Sequence, residues 1–183
     1  MNKKKLLKLL KKYKIPLKLW GTGEAKTLDH LIAEISSGEA VLEEGEGGLL
    51  RVALGVCLDV FYKNKNVVYK LIEEKQVYKD GRVRRRGLPT SIGEKLKPNE
   101  DPIFAAYRAL FEELGIKIRL VLLERPGIIK GPVPSISFPG LKTKYIFSVF
   151  EVWLPKEFYK PEGYIENQSD KSSHFIWKKQ SSV

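Results

Sequence analysis

The spacing of apolar side chains changes along the chain, and each change marks an element. Leu6, Leu9, Leu10 and Tyr13 recur at helical spacing among lysines, which predicts a short basic amphipathic helix over 3–14, ended by Pro16. Such a helix can lie on a membrane, address the chain to an organelle or dock on the protein's own body. Docking is expected, because targeting peptides favour the Arg and Ser that this segment lacks. Leu28, Leu31, Ile32 and Ile35 predict a second helix, with Thr27 as its N-cap and Gly38 where a left-handed cap belongs. His30 falls on its polar side and reads as surface. The segment EEGEGG at 43–48 is polar and glycine-rich; it reads as a flexible link, since its acids fit no calcium-loop spacing.

From Leu49 the pattern turns to strands. Residues 50–62 are apolar with β-branched members, as in a buried strand. Residues 67–79 form another, and Asp80-Gly81 supplies a two-residue hairpin signal before a return strand over 82–86. Further strands are expected over 118–124, 142–154 and 173–178, while Gly-Pro clusters at 126–140 read as a long loop. One helix interrupts them: Asp101 caps it, Pro102 takes its first position and Gly115 ends it. Its predicted core face is Ile103, Ala106, Tyr107, Leu110 and Leu114, which leaves positions 105, 108, 109, 112 and 113 on the face away from that stripe. Strands flanking a helix, with another helix before them, predict a mixed α+β or a layered α/β/α fold. The expected organisation is an N-terminal helical appendage and linker over 1–48, then one domain over 49–183.

An apolar fraction of 43% excludes wholesale disorder. Cys57 is alone, so no intramolecular disulfide forms; set in an apolar strand, it reads as a buried structural thiol. No uncharged run approaches the roughly 20 apolar residues of a spanning helix, and a soluble, cytoplasmic protein with no membrane span is expected. The net charge is +11, and residues 1–20 hold eight lysines and no acid. A second basic cluster comprises Lys75, Lys79, Arg82, Arg84, Arg85 and Arg86. Such clusters are either solvated surface or a field that attracts a polyanion such as RNA, a nucleotide or an acidic membrane. His30 and His174 stand apart from other ligand-type residues, so neither a zinc site nor a serine triad is visible.

The chemically informative stretch is GEKLKPNEDPIFAAYRALFEELGI, residues 93–116. Arg108 and Glu112 are four apart and able to pair. Glu112 and Glu113 occupy the last helical turn, where the helix dipole disfavours an exposed acid by about 0.3–1 kcal/mol. That cost calls for an offset, either a divalent cation bridging to a phosphate or Arg108 by itself.

With Glu100, Arg108, Leu110, Glu112, Glu113, Gly115 and Ile116 in register, this stretch resembles the Nudix box, G-x5-E-x7-R-E-U-x-E-E-x-G-U with U a bulky aliphatic residue. Two positions depart from it. Gly93 lies one residue early, which leaves Glu94 at the glycine position, and Ala109 replaces the first helix glutamate. The resemblance implies a Nudix-like α/β/α sandwich with a mixed sheet. It implies a hydrolase that uses Mg2+ or Mn2+ to cleave a diphosphate linkage in a nucleoside diphosphate derivative, a phosphate-containing small molecule. Glu112, Glu113 and Glu100 would be metal ligands, Glu112 a catalytic carboxylate, and Arg108 the residue that orients the helix carboxylates. Glu94, Glu162 and Glu166 are further candidates for the acid missing at position 109. In that setting Arg82, Arg84 and Arg86 would meet substrate phosphates, or else pair with Glu73 and Glu74 in a solvent-facing hairpin. Tyr78 or Phe138 would stack a base or belong to the core. The alternative is a catalytically degenerate Nudix-fold module that binds RNA, a nucleotide or a protein partner; Ala109, the loop insertion and the basic charge motivate it.

Overall fold

A computed structural model of the chain describes residues 3–45, 47–97 and 99–180. Glu46 of the 43–48 segment, Pro98 of the 93–116 stretch and the ends of the two expected regions at 1–2 and 181–183 lie outside the described residues. The helices are α1 (Lys3–Lys12), α2 (Leu28–Ser36) and α3 (Pro102–Leu114). The strands are β1 (Ala40–Gly45), β2 (Gly48–Asn64), β3 (Val67–Tyr78), β4 (Val83–Arg84), β5 (Ile92–Lys95), β6 (Leu122–Pro134), β7 (Lys142–Trp153), β8 (Tyr164–Asn167) and β9 (Lys171–Lys179). Hydrogen-bonded neighbours follow the order β6-β7-β2-β3-β9-β8, with β1 and β5 also on β2 and β4 on β3. The architecture is mixed α/β. Among the described residues no helix is long and apolar enough to cross a membrane.

Contacts gather the chain into two units. The first comprises Met1–Gly55, Lys95–Glu100 and Gly127–Phe147. In it α1 docks as expected. Leu6 and Leu10, one turn apart on the same face, are 1% and 0% exposed and join Trp20, Leu31, Phe138 and Leu141 in one apolar cluster. Phe138 is therefore core, with the Trp20 ring 5.2 Å away. At the start of α2 the Thr27 hydroxyl accepts from the His30 N–H (3.3 Å), and the Thr27 N–H donates to His30 Nδ1 (3.1 Å). This is a capping box in which an imidazole replaces the usual Glu or Gln, and it gives the exposed His30 a structural task. Glu34 on α2 is buried and meets Arg51 at 2.5 Å, Lys26 at 2.8 Å and Lys95 at 3.1 Å. Burial alone would raise its pKa, but the three cations outweigh that and hold it down at about 2.

Two expectations for this unit are corrected. Residues 43–48 are no flexible link: β1 pairs antiparallel with β2 from Ala40 opposite Ala53 to Gly45 opposite Gly48, so the segment is the end of a hairpin. Among its acids Glu44 accepts from the Tyr13 hydroxyl at 2.7 Å and from Lys12. Nor is 126–140 all loop, because β6 continues to Pro134. The glycines that suggested a loop mark close backbone approach instead. A Cβ on Gly127 would lie 3.0 Å from the Phe147 carbonyl oxygen, and one on Gly131 2.5 Å from that of Thr143. The prolines are tolerated because β6 ends the strand order, where a missing N–H breaks no ladder on its outer side.

The second unit comprises Val56–Glu94, Asp101–Pro126 and Ser148–Val183. There β3 pairs antiparallel with β2, β4 and β9, and β8 pairs antiparallel with β9. The register on β9 shifts between Glu73 and Lys75, and Glu73 ends up buried at 6% exposure. The hairpin at Asp80-Gly81 forms, with Gly81 at φ +86 and the Tyr78 N–H donating to the Arg82 carbonyl at 2.9 Å. The return strand is only Val83–Arg84, shorter than the 82–86 expected. Cys57 is buried as expected, and burial raises its thiol pKa.

Helix α3 has the ends its sequence predicts. The Asp101 carboxylate accepts from the Ile103 N–H at 2.7 Å, a cap that contributes about 1 kcal/mol. Gly115 closes the helix in the left-handed region at φ 71. The buried face is corrected: Ile103 is 47% exposed, whereas Ala105 and Ala109 are 0% exposed beside Ala106, Leu110 and Leu114. Small side chains let this helix pack closely, so its buried face is wider than the apolar stripe suggests. Tyr107 stays partly covered, its hydroxyl donating to the Leu120 carbonyl at 2.9 Å.

Candidate functional site

The final turn of α3 and strand β8, both in the second unit, line a cleft of about 440 Å³ whose walls include Glu112, Glu113, Lys160, Tyr164 and Glu166. Leu114 and Tyr164 are buried and fix the two elements, while Glu113 and Glu166 are half-buried between core and cleft. Glu113 is hydrogen-bonded to Glu166 and feels the charge of Glu94 from β5. Burial, then Glu166, then Glu94 push the Glu113 carboxyl up to about 8, against a smaller opposing pull from Arg86. Burial and the neighbouring acids thus favour the protonated form of the Glu113 carboxyl. Gln168 Nε2 holds both Glu166 oxygens at 2.7 and 2.8 Å, which fixes that carboxylate in place.

The neighbouring Glu112 is offset differently. Arg108 Nη1 donates to Glu112 at 2.9 Å, the pairing expected from their spacing, and lies 3.4 Å from Glu94. Arg108 is well covered at 14% side-chain exposure and ties the end of α3 to β5. Position 109, where the box has its first helix glutamate, is a fully buried alanine. It contributes to packing and offers the cleft no oxygen.

Of the three arginines expected to meet substrate, Arg86 acts on Glu113. It is committed to Glu73, with Nε donating at 2.8 Å and Nη2 making a second bond. Burial works against its charge, but the pairing with Glu73 outweighs it and raises its pKa. Arg82 pairs with Asp80 at 2.7 Å and lies 4.8 Å above the Tyr78 ring, so both belong to the hairpin turn. Arg84 is exposed on β4. Glu100 belongs to the first unit, where its carboxylate accepts from the Lys97 N–H at 2.8 Å. Glu162 is exposed, and its charge acts on the hydroxyls of Tyr159 and Tyr164. The acids brought to Glu113 are thus Glu94 and Glu166, two of the loop candidates, carried on short strands that the sequence pattern does not reveal.

Among the described residues no group of three or more His, Cys, Asp or Glu side chains is placed to hold a metal ion by itself. The donor chemistry of Glu113 and Glu166 nevertheless suits magnesium. That ion takes one or two carboxylates and fills its other positions with water and substrate phosphate. The cleft fits a cation that arrives with a phosphate rather than one held in a closed cage.

No family model matches the sequence, and no curated protein matches it. Solved structures similar to the chain include the following two. A MutT/nudix family protein from Enterococcus faecalis is 13% identical with a TM-score of 0.47, over 100% of this chain and 58% of that one. The T. brucei MERS1–RNA complex is 17% identical with a TM-score of 0.40, over 69% of this chain and 51% of that one. The chain thus spans little more than half the length of either protein. The reading of the cleft rests on this chain's own side chains.

Proposed function

We propose that the cleft between α3 and β8 is the active site of a divalent-cation-dependent hydrolase that cleaves a diphosphate linkage, with Glu113 and Glu166 as its cation ligands. The observation that carries this reading is the convergence of two carboxylates on one cleft with a third acid, Glu94, behind them. Like charges that close repel, and a divalent ion removes the repulsion. The register of Arg108, Glu112 and Glu113 with the Nudix box agrees with it.

Each side chain then has a task. Glu113 and Glu166 would hold the cation with phosphate. Glu113 must first release its proton, which the arriving cation favours. Bound magnesium would neutralise phosphate oxygens and polarise phosphorus towards water. Arg108 holds Glu112 and Glu94 in orientation, and Glu112 at the cleft wall would accept a proton from water. Lys160 on the same wall adds positive charge for a phosphate.

Purified protein is expected to hydrolyse at least one of a dinucleotide, a nucleotide sugar, capped RNA and ADP-ribose in the presence of Mg2+ or Mn2+. Glu113→Gln or Glu166→Gln is expected to lower that rate by at least about 10–100-fold, the cost of losing even an outer partner at a metal centre. A rate that both substitutions leave unchanged sinks the assignment. A second reading is favoured by the enclosed Ala109: a module that has lost catalysis and retains binding. It predicts no turnover on any of these substrates and nucleotide affinity that is indifferent to magnesium.

A further inference from the structure

The electrostatics of α1 are unfavourable to the helix itself. Its first turn contains no acid, although the helix dipole favours one there, and Lys3, Lys4 and Lys5 stand in that place. Lys4, Lys8 and Lys11 follow at i, i+4 and i+7, so they form one stripe in which each lysine repels the next. The buried pair Leu6 and Leu10 lies on the opposite side, so the stripe points away from the core. Lys3 is neutralised by Asp29 and Lys12 by Glu44. Lys4, Lys8, Lys11, Lys14 and Lys18 are exposed and form no ion pair with the described residues. A row of exposed like charges on a docked helix makes a positive field that attracts a polyanion.

We infer that the Lys4–Lys8–Lys11 stripe of α1, together with the exposed Lys14 and Lys18 that follow it in the sequence, is a binding surface for the phosphate backbone of a nucleic-acid duplex. The chemistry selects this partner from the alternatives. An amphipathic helix that enters a membrane must give its apolar face to lipid, and here that face is spent on Leu31, Phe138 and Leu141. Single-strand binders stack bases on exposed aromatic rings. The aromatics of this segment are otherwise used: Trp20 is buried with its indole N–H donating to the Pro139 carbonyl at 2.9 Å, and the Tyr13 hydroxyl donates to Glu44. Five lysine point charges with no base-reading group beside them suit regular phosphates without regard to sequence. This surface lies in the first unit, belongs to other residues than the acidic cleft, and needs no metal.

The test is binding of the full chain to a short labelled RNA duplex and a DNA duplex of the same sequence, followed by fluorescence anisotropy in chelator. Five phosphate contacts predict an affinity loss of about 500-fold between about 50 and 200 mM salt, at a slope of about −0.9 per contact. In the variant Lys4→Gln/Lys8→Gln/Lys11→Gln the same change in salt is expected to cost only about 12-fold, two contacts remaining. The control Lys63→Gln/Lys65→Gln/Lys179→Gln carries the same charge change on exposed lysines elsewhere and is expected to keep the wild-type slope. Thermal melting establishes that both variants fold, and the single variant Lys8→Gln serves if the triple one does not. No duplex binding at low salt overturns the inference, as does an equal effect of the two triple variants. Preference for phosphatidylserine vesicles over both duplexes overturns it in favour of a membrane. Tighter binding to RNA than to DNA, with the same dependence on the stripe, supports it and names the duplex.

Discussion

Glu113→Gln is expected to remove a pH dependence from the stability of the metal-free protein. The carboxyl titrates at about 8 in the folded chain and at about 4.5 when unfolded. Between those values the unfolded chain loses the proton and the folded chain keeps it, so wild-type stability falls as pH rises through that window and levels off above it. Each unit of difference is worth about 1.4 kcal/mol, which makes the decline a few kcal/mol. A glutamine has no proton to lose and can donate the same hydrogen bond. The variant should match wild type near the lower end of the window and exceed it at the upper end. Urea denaturation in chelator at the two pH values decides the matter; parallel declines in both proteins would show that Glu113 is not crowded by acids. The same substitution should stabilise the protein and stop hydrolysis, which separates a functional acid cluster from a structural one.

Phe138→Ala is expected to cost about 3–5 kcal/mol, the range for truncating an enclosed aromatic. Phe138 is 0% exposed, Trp20 packs against its ring, and the Arg51 guanidinium lies 5.4 Å above it. The substitution removes the side chain against which α1 is docked, so the loss should appear as lowered denaturant midpoint and easier proteolysis near the N-terminus. Phe138→Leu should recover most of the stability. A cost below about 1 kcal/mol for Phe138→Ala would mean that this cluster is not a core.

The legible parts of the fold are those where local chemistry fixes local structure. Asp101, Pro102 and Gly115 end α3 because each solves a backbone problem at its own position. Thr27 does so for α2, and Asp80-Gly81 for the β3–β4 turn. Misread segments are those whose residues answer to a distant partner. Gly127 and Gly131 look like loop breakers until β7 lies beside them. Glu43 and Glu44 look like a linker, although β1 pairs β2 along its whole length.

The acid site divides in the same way. Arg108, Glu112 and Glu113 share one helix, so their proximity follows from spacing. Glu94 and Glu166 come from strands of four residues each, too short to show a period, and β8 finds its place only through pairing with β9. Ile103 and Ala109 exchange their expected environments for a related reason. Hydrophobic patterning ranks isoleucine as core and leaves alanine undecided, whereas closeness of approach selects the smaller side chain.

Ala109 closes a door. Its methyl group has no solvent around it, so a glutamate placed at that point would force a longer, ionised side chain into packed hydrocarbon. The chain would shift or lose stability before any oxygen reached the cleft. An acid that faces the cleft from this side of α3 is thereby excluded at position 109, whereas the opposite wall already carries Glu166.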